Sequence, residues 1–112
     1  MSEDKSHKEI KGQPFRYIDL MDYQPGAIVS RTLIDQKTGS VTLFAFDEGQ
    51  KLSEHTAPFD ALVEVIDGAF DIAINGYIHR VEAGTQIIMP ANEPHALEAV
   101  QKSTMLLVMI RS

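Results

Sequence analysis

The sequence predicts an all-β fold, a sandwich or small closed barrel, and three observations carry that prediction. Nine short apolar runs follow one another from Phe15 onward, and no long window shows a 3.6-residue period. Turn signals rich in Gly, Pro, Asn and Asp separate the runs about every ten residues. Several runs also alternate cleanly, as in AFDIAI, where Phe70, Ile72 and Ile74 share one face and Ala69, Asp71 and Ala73 the other.

The elements follow in order. Residues 1–12 are polar and charged, end at Gly12 and read as a flexible tail, with His7 solvated; residues 13–112 form one domain. The runs are FRYIDL (15–20), AIVSRTLI (27–34), VTLFAF (41–46), ALVEVI (61–66), AFDIAI (69–74), YIHRVE (77–82), TQIIMP (85–90), HALEAV (95–100) and TMLLVMI (104–110). Asn75-Gly76 between AFDIAI and YIHRVE is the strongest turn signal, a two-residue type I′ hairpin. Asp67-Gly68 reads as a second tight reversal. TMLLVMI is apolar on both faces, so it must be covered on both, and as an exposed edge strand it would aggregate. A closed barrel that dimerises through such a strand meets that requirement, which makes a homodimer the expected assembly.

Composition excludes several function classes. The chain has 112 residues, a length that fits one domain. It has no Cys, which removes disulfides, thiolate metal sites and cysteine nucleophiles and fits a cytoplasmic protein. The net charge is −6, and the first eleven residues sum to zero, so the body carries 13 acids against 7 bases. That balance repels phosphate backbones and argues against nucleic acid as a partner. There is no signal-peptide h-region. The longest apolar stretch, Met105 to Ile110, is far below the ~20 residues of a membrane helix, so the chain reads as soluble with no membrane partner.

Four histidines are present: His7, His55, His79 and His95. His79 lies in a strand of mixed polarity and reads as a surface residue. His55 and His95 are each expected to open a strand just after a loop, and each stands in a recognisable frame. The segment GQKLSEHTAPFDALVEVIDG (49–68) resembles the first cupin motif, G-x5-H-x-H-x3–4-E-x6-G, with Gly49, His55 and Gly68 in place. The segment GTQIIMPANEPHALEA (84–99) resembles the second, G-x5-P-x-G-x2-H-x3-N, with Gly84, Pro90 and His95 in place. The resemblance spans about residues 27–110 and implies a double-stranded β-helix, the jelly-roll barrel of the cupin superfamily, in a small single-domain form.

The departures from those motifs bear on function. Ala57 replaces the second histidine and Ala61 the glutamate; Asn92 replaces a glycine and Ala99 the asparagine. Asn tolerates φ > 0, so Asn92 can take the glycine's turn. The resemblance implies a transition-metal site of three histidines and one glutamate, of which only His55 and His95 remain. Strand parity offers no replacement acid: Val63 and Val65 share the face of Ala61, so Glu64 points out, and Leu97 and Ala99 share the face of His95, so Glu98 points out. Glu54 and Asp60 flank inward positions and face out, unless the 57–60 turn rotates Asp60. A weakly held divalent transition metal, completed by water, substrate or Gln86, stays open.

Three readings of the site follow. In the first, the barrel binds a small molecule for binding, sensing or sequestration, with no strong metal dependence. His55 and His95 are its polar anchors, since a neutral imidazole both donates and accepts. Phe44, Phe46, Phe59, Met89 and Met105 line an apolar pocket that Ala57 and Ala61 enlarge, with Phe70 and Met109 as further lining or plain core. In the second, a metal-dependent dioxygenase, isomerase or decarboxylase uses His55 and His95 as residual ligands. A vestigial pocket in an interaction module is the third alternative.

Overall fold

Residues 9–111 are described by a computed structural model; of the expected tail at residues 1–12, residues 1–8, His7 included, lie outside them. Among the described residues the strands are β1 (Ile28–Gln36), β2 (Gly39–Phe46), β3 (Lys51–His55), β4 (Ala61–Asp67), β5 (Ala69–Ile74), β6 (Tyr77–Glu82), β7 (Gln86–Met89), β8 (His95–Ala99) and β9 (Ser103–Ile110). They form two sheets, ordered β1-β2-β9-β4-β7 and β3-β8-β5-β6, with every neighbouring pair antiparallel.

The pairings β5·β6, β4·β7, β3·β8 and β2·β9 are nested around Asn75-Gly76, and successive pairs alternate between the two sheets. The chain is therefore one long antiparallel ribbon wound into a double-stranded β-helix, the jelly roll. Asn75 (φ 53°) and Gly76 (φ 81°) are both left-handed, as a type I′ turn requires, and Ile74 pairs with Tyr77 across them. Asp67-Gly68 has a different job from the expected reversal. β4 and β5 do not pair; Gly68 (φ 78°) carries the chain from one sheet to the other. A Cβ there would collide with Ser103 Oγ and the Lys102 carbonyl, so the corner has room only for glycine. Buried Ser103 completes it by accepting the Ala69 amide at 2.9 Å.

Parity fills the interior as the alternation predicts. Ala61, Val63 and Val65 from β4, Phe70 and Ile72 from β5, Leu97 and Ala99 from β8 and Met105 from β9 form one buried cluster. Phe46 and Phe70 meet edge to face at 5.0 Å.

Two expectations are corrected. FRYIDL is not a strand: Tyr17–Asp19 is a 3-10 turn closed by Leu20 N–H to Tyr17 O at 3.0 Å. Neither of its alternating faces is apolar, whereas Tyr17, Leu20 and Met21 stand at i, i+3 and i+4 and pack together onto a second cluster around Leu43 and Leu106. That cluster also covers the outer face of β9, a central strand between β2 and β4, so the strand is covered on both faces as its sequence requires. Its two apolar faces are thus Met105, Leu107 and Met109 toward the interior and Leu106 and Val108 toward the N-terminal segment, including half-buried Ile10. Finally, Lys51–His55 is a strand that its short, polar, exposed sequence conceals, and His55 ends it instead of opening one.

Candidate functional site

Two residue rows meet at the end of the barrel where the 56–60 and 90–94 loops join. On the inner face of the larger sheet the register runs Ser40–Met109–Ala61–Met89. On the smaller sheet it runs His55–His95–Ile74–Tyr77. The loops are tied to each other: Asn92 N–H donates to Ala57 O at 2.7 Å, and Ala91 N–H to Asp60 Oδ1 at 2.8 Å. Asn92 has φ 66° and so makes the left-handed turn expected of it. Asp60 is exposed, and its carboxylate clamps the loops together.

A β-bulge aims His55. The register steps from Lys51↔Glu98 and Leu52↔Leu97 to His55↔His95, so β3 advances three residues where β8 advances two. Without the extra residue, Leu52 and Glu54 would share the inner face and His55 would lie on the outer face of the sheet, away from His95. The bulge reverses that parity and sets His55 beside His95.

The imidazoles meet edge to face, with ring centroids 4.4 Å apart and Nε2 to Nε2 at 3.1 Å. His55 Nδ1 lies 2.8 Å from the Ser53 carbonyl, which can only accept, so Nδ1 carries the proton and His55 Nε2 is an acceptor. His95 therefore donates through Nε2. Its Nδ1 is left as a buried lone pair with no hydrogen-bond partner. His95 is 4% exposed, whereas His55 faces solvent. Burial, reinforced by the neighbouring His55 and partly opposed by the backbone of Glu93, holds the His95 pKa below the usual 6.5. The pair is a polar plug, wet on one side and dry on the other.

The other sequence-predicted residues separate by level. Ala61 and Met89 lie buried in the row beside the histidines, and Ala57 and Phe59 are half-buried in the adjoining loop. Phe46 and Met105 are corrected to core: the register puts them opposite Ser103 and Val65, toward the far end of the barrel, where both are fully buried. Phe44 faces Met105 across β2 and β9 and packs against the same core. Gln86 is exposed and shares the outer face with Ile88, since Ile87 and Met89 point inward, so it does not meet the histidines. His79 is exposed at the free edge of β6. Composition alone did not single out Ser40, which is buried in the row, or Tyr77, 75% exposed at its end. Both were readable from parity once the register was known.

The donor set does not fit a resident metal. Two nitrogens 3.1 Å apart can sit side by side on one ion with bonds of about 2.0–2.1 Å, but protein zinc sites supply three or four ligands. Ala57 and Ala61 bring no donor atom, and among the described residues no third His, Cys, Asp or Glu clusters with the pair.

A family model described as a cupin domain matches residues 42–111. A conserved protein of unknown function from Streptococcus pyogenes is 32% identical, with a TM-score of 0.87, over 100% of this chain and 96% of that one. A cupin 2 conserved barrel domain protein from Leptotrichia buccalis is 36% identical, with a TM-score of 0.83, over 86% of this chain and 47% of its own. A cupin superfamily protein from Desulfitobacterium hafniense shares the fold at 19% identity, with a TM-score of 0.86 and coverage of 92% and 94%. No curated protein matches the chain. Among the described residues no helix is long and apolar enough to cross a membrane.

Proposed function

The chain belongs to the cupin family, and on that premise we propose that its barrel mouth binds a small molecule with an apolar or aromatic body and an anionic or carbonyl head, in the service of binding, sensing or sequestration. The observation that carries the reading is the His55–His95 pair at the edge of an apolar interior. A carboxylate or carbonyl oxygen that displaces His55 accepts the His95 Nε2–H, while Ala61, Met89, Met109 and Ile74 surround the apolar body. Apolar walls with few fixed polar groups are what such sites use to orient a ligand. The exposed ring of Tyr77 stands at the end of the same row, within reach of a ligand that projects from the mouth.

The protein acts in the cytoplasm as a homodimer. Ile34, Val41, Val108, Leu62 and Ile88 form one continuous register row across the outer face of the five-stranded sheet. Ile34 and Ile88 are 54% and 60% exposed. Leu62 between them is also exposed, and a second copy presenting the same apolar row would cover these side chains.

Titration of the labelled protein with phenylacetate, phenylacetamide and ethylbenzene, followed by amide NMR, tests the ligand reading. The first two should shift resonances around His55, Ala57, Asn92 and His95, and His95→Ala should weaken them about tenfold, the value of a charge-assisted or buried hydrogen bond. Ethylbenzene, lacking a head, should bind more weakly. Equal binding by His95→Ala, or no saturable shift with any of the three, would reject it.

A further inference from the structure

A cavity lies outside the barrel. It has a volume of about 420 Å³ and sits between the outer face of the larger sheet and the N-terminal segment that crosses it. Ala45, Ile66 and Thr104 make its floor; Tyr17, Met21 and Tyr23 wall it, and Ile18 stands at its rim with 73% of its surface exposed. The floor residues are the outward members of β2, β4 and β9, whose inward neighbours Phe46, Val65 and Met105 belong to the core. The cavity is therefore separated from the histidine pair by the thickness of the sheet. It is also at the other end of β4: Asp67 lies six residues from Ala61, roughly 20 Å at about 3.3 Å per residue.

Its polar end is built from three side chains. The Tyr23 hydroxyl donates to Asp67 Oδ2 at 3.0 Å, and with its one proton so used it accepts from Thr104 Oγ1 at 2.7 Å. Burial pushes the Tyr23 hydroxyl pKa up, Thr104 opposes this and Asp67 adds to it, so the phenol stays neutral and the negative charge stays on Asp67. Asp67 is exposed and keeps acceptor capacity for a second donor. The site thus joins an apolar chamber, two phenol rings and the carboxylate of Asp67, with Asp22 a second acid in the lining, on a body with nearly twice as many acids as bases.

We infer that this outer cavity binds a small organic ammonium ion, an alkyl- or arylalkylamine whose apolar body fills the space over Ala45 and Ile66 and whose charged head meets Asp67 and the tyrosine rings. A carboxylate supplies an ionic hydrogen bond, and an aromatic face attracts a cation through its quadrupole. An anion would meet Asp67 head on. This site is independent of the proposed barrel ligand, and it takes the opposite charge.

The test uses the full chain labelled with ¹⁵N and two probes of one shape, protonated phenethylamine and neutral 2-phenylethanol. The amine should shift amides of Tyr23, Ile66, Asp67 and Thr104 and bind about fivefold or more tightly than the alcohol. Asp67→Asn should reduce that preference below about twofold, while Ala45→Leu, which fills the chamber, should weaken both probes. His95→Ala should leave all of this unchanged. Equal affinity of amine and alcohol for the unaltered protein would overturn the inference, as would shifts confined to the barrel mouth or no saturable shift in the millimolar range. The first of these readouts needs no variant, so an unstable substitution would not decide the outcome.

Discussion

Replacing His95 by alanine tests whether the imidazole is there for chemistry or for packing. His95 is 4% exposed, so the substitution uncovers roughly 100 Å² of surface, worth about 2.5 kcal/mol at ~25 cal/mol per Å². It also removes the 3.1 Å bond to His55, about 1 kcal/mol. Against these, it deletes a buried nitrogen that has no partner, a desolvation cost of about 2 kcal/mol. The net loss is about 1.5 kcal/mol, roughly 6–10 °C in Tm for a domain of this size. A purely structural histidine would cost more. pH separates the two cases further. Because burial lowers the His95 pKa, the folded chain keeps it neutral where the unfolded chain accepts a proton. Its unfavourable term is absent above the unfolded value of about 6.5 and grows as pH falls from there toward the folded pKa. The unaltered protein should lose stability over that window and His95→Ala should not, so the gap between them narrows in acid. Urea unfolding at pH 7.5 and pH 5.5 measures both quantities. A loss above ~4 kcal/mol, or a gap that widens in acid, would refute the account.

Further outcomes follow from packing and composition. Phe46→Ala should cost about 3–5 kcal/mol by thermal or urea unfolding, since Phe46 is fully buried against Phe70; a loss below ~1 kcal/mol would mean that this end of the barrel is a pocket. Gly68→Ala should give little folded protein by circular dichroism, because both the left-handed backbone and the contact with Ser103 and Lys102 oppose a methyl group. Metal analysis of untagged protein should find well under one equivalent of any transition ion; a stoichiometric ion lost in both His55→Ala and His95→Ala would restore the enzyme reading. Light scattering should give a dimer mass, and Ile88→Asp should shift it toward the monomer.

Much of the fold was legible because period-2 patterns and turn chemistry are local. Asn75-Gly76 specifies its turn through two left-handed residues, and Phe70, Ile72 and Ile74 show their common face without help from the rest of the chain. Asn92 was readable in the same way, from the backbone angle that asparagine tolerates. What stayed hidden depends on register between distant strands. Phe46 and Met89 look alike in a list of apolar residues, yet pairing puts Phe46 beside Ser103 and Met89 beside Ala61. The bulge in β3 leaves no mark in KLSEH, since it exists only relative to β8. The cover over β9 was missed because Tyr17, Leu20 and Met21 follow a helical spacing inside a run too short to show one.

The nested ribbon also sets a clock on the site. Ile74 and Tyr77 meet across a two-residue turn, whereas His55 and His95 meet across 40 positions, and Phe46 and Ser103 across more. Closing the longer loop costs about 2 kcal/mol more in chain entropy than closing the turn, so pairing spreads outward from the hairpin tip. The histidine pair is then absent from the earliest structure and forms once β4 and β7 have joined. Such a topology folds slowly, and contacts made late are felt in the unfolding rate. A ligand at the barrel mouth would act chiefly as a latch, lengthening the lifetime of the folded state while hardly altering how fast it is reached.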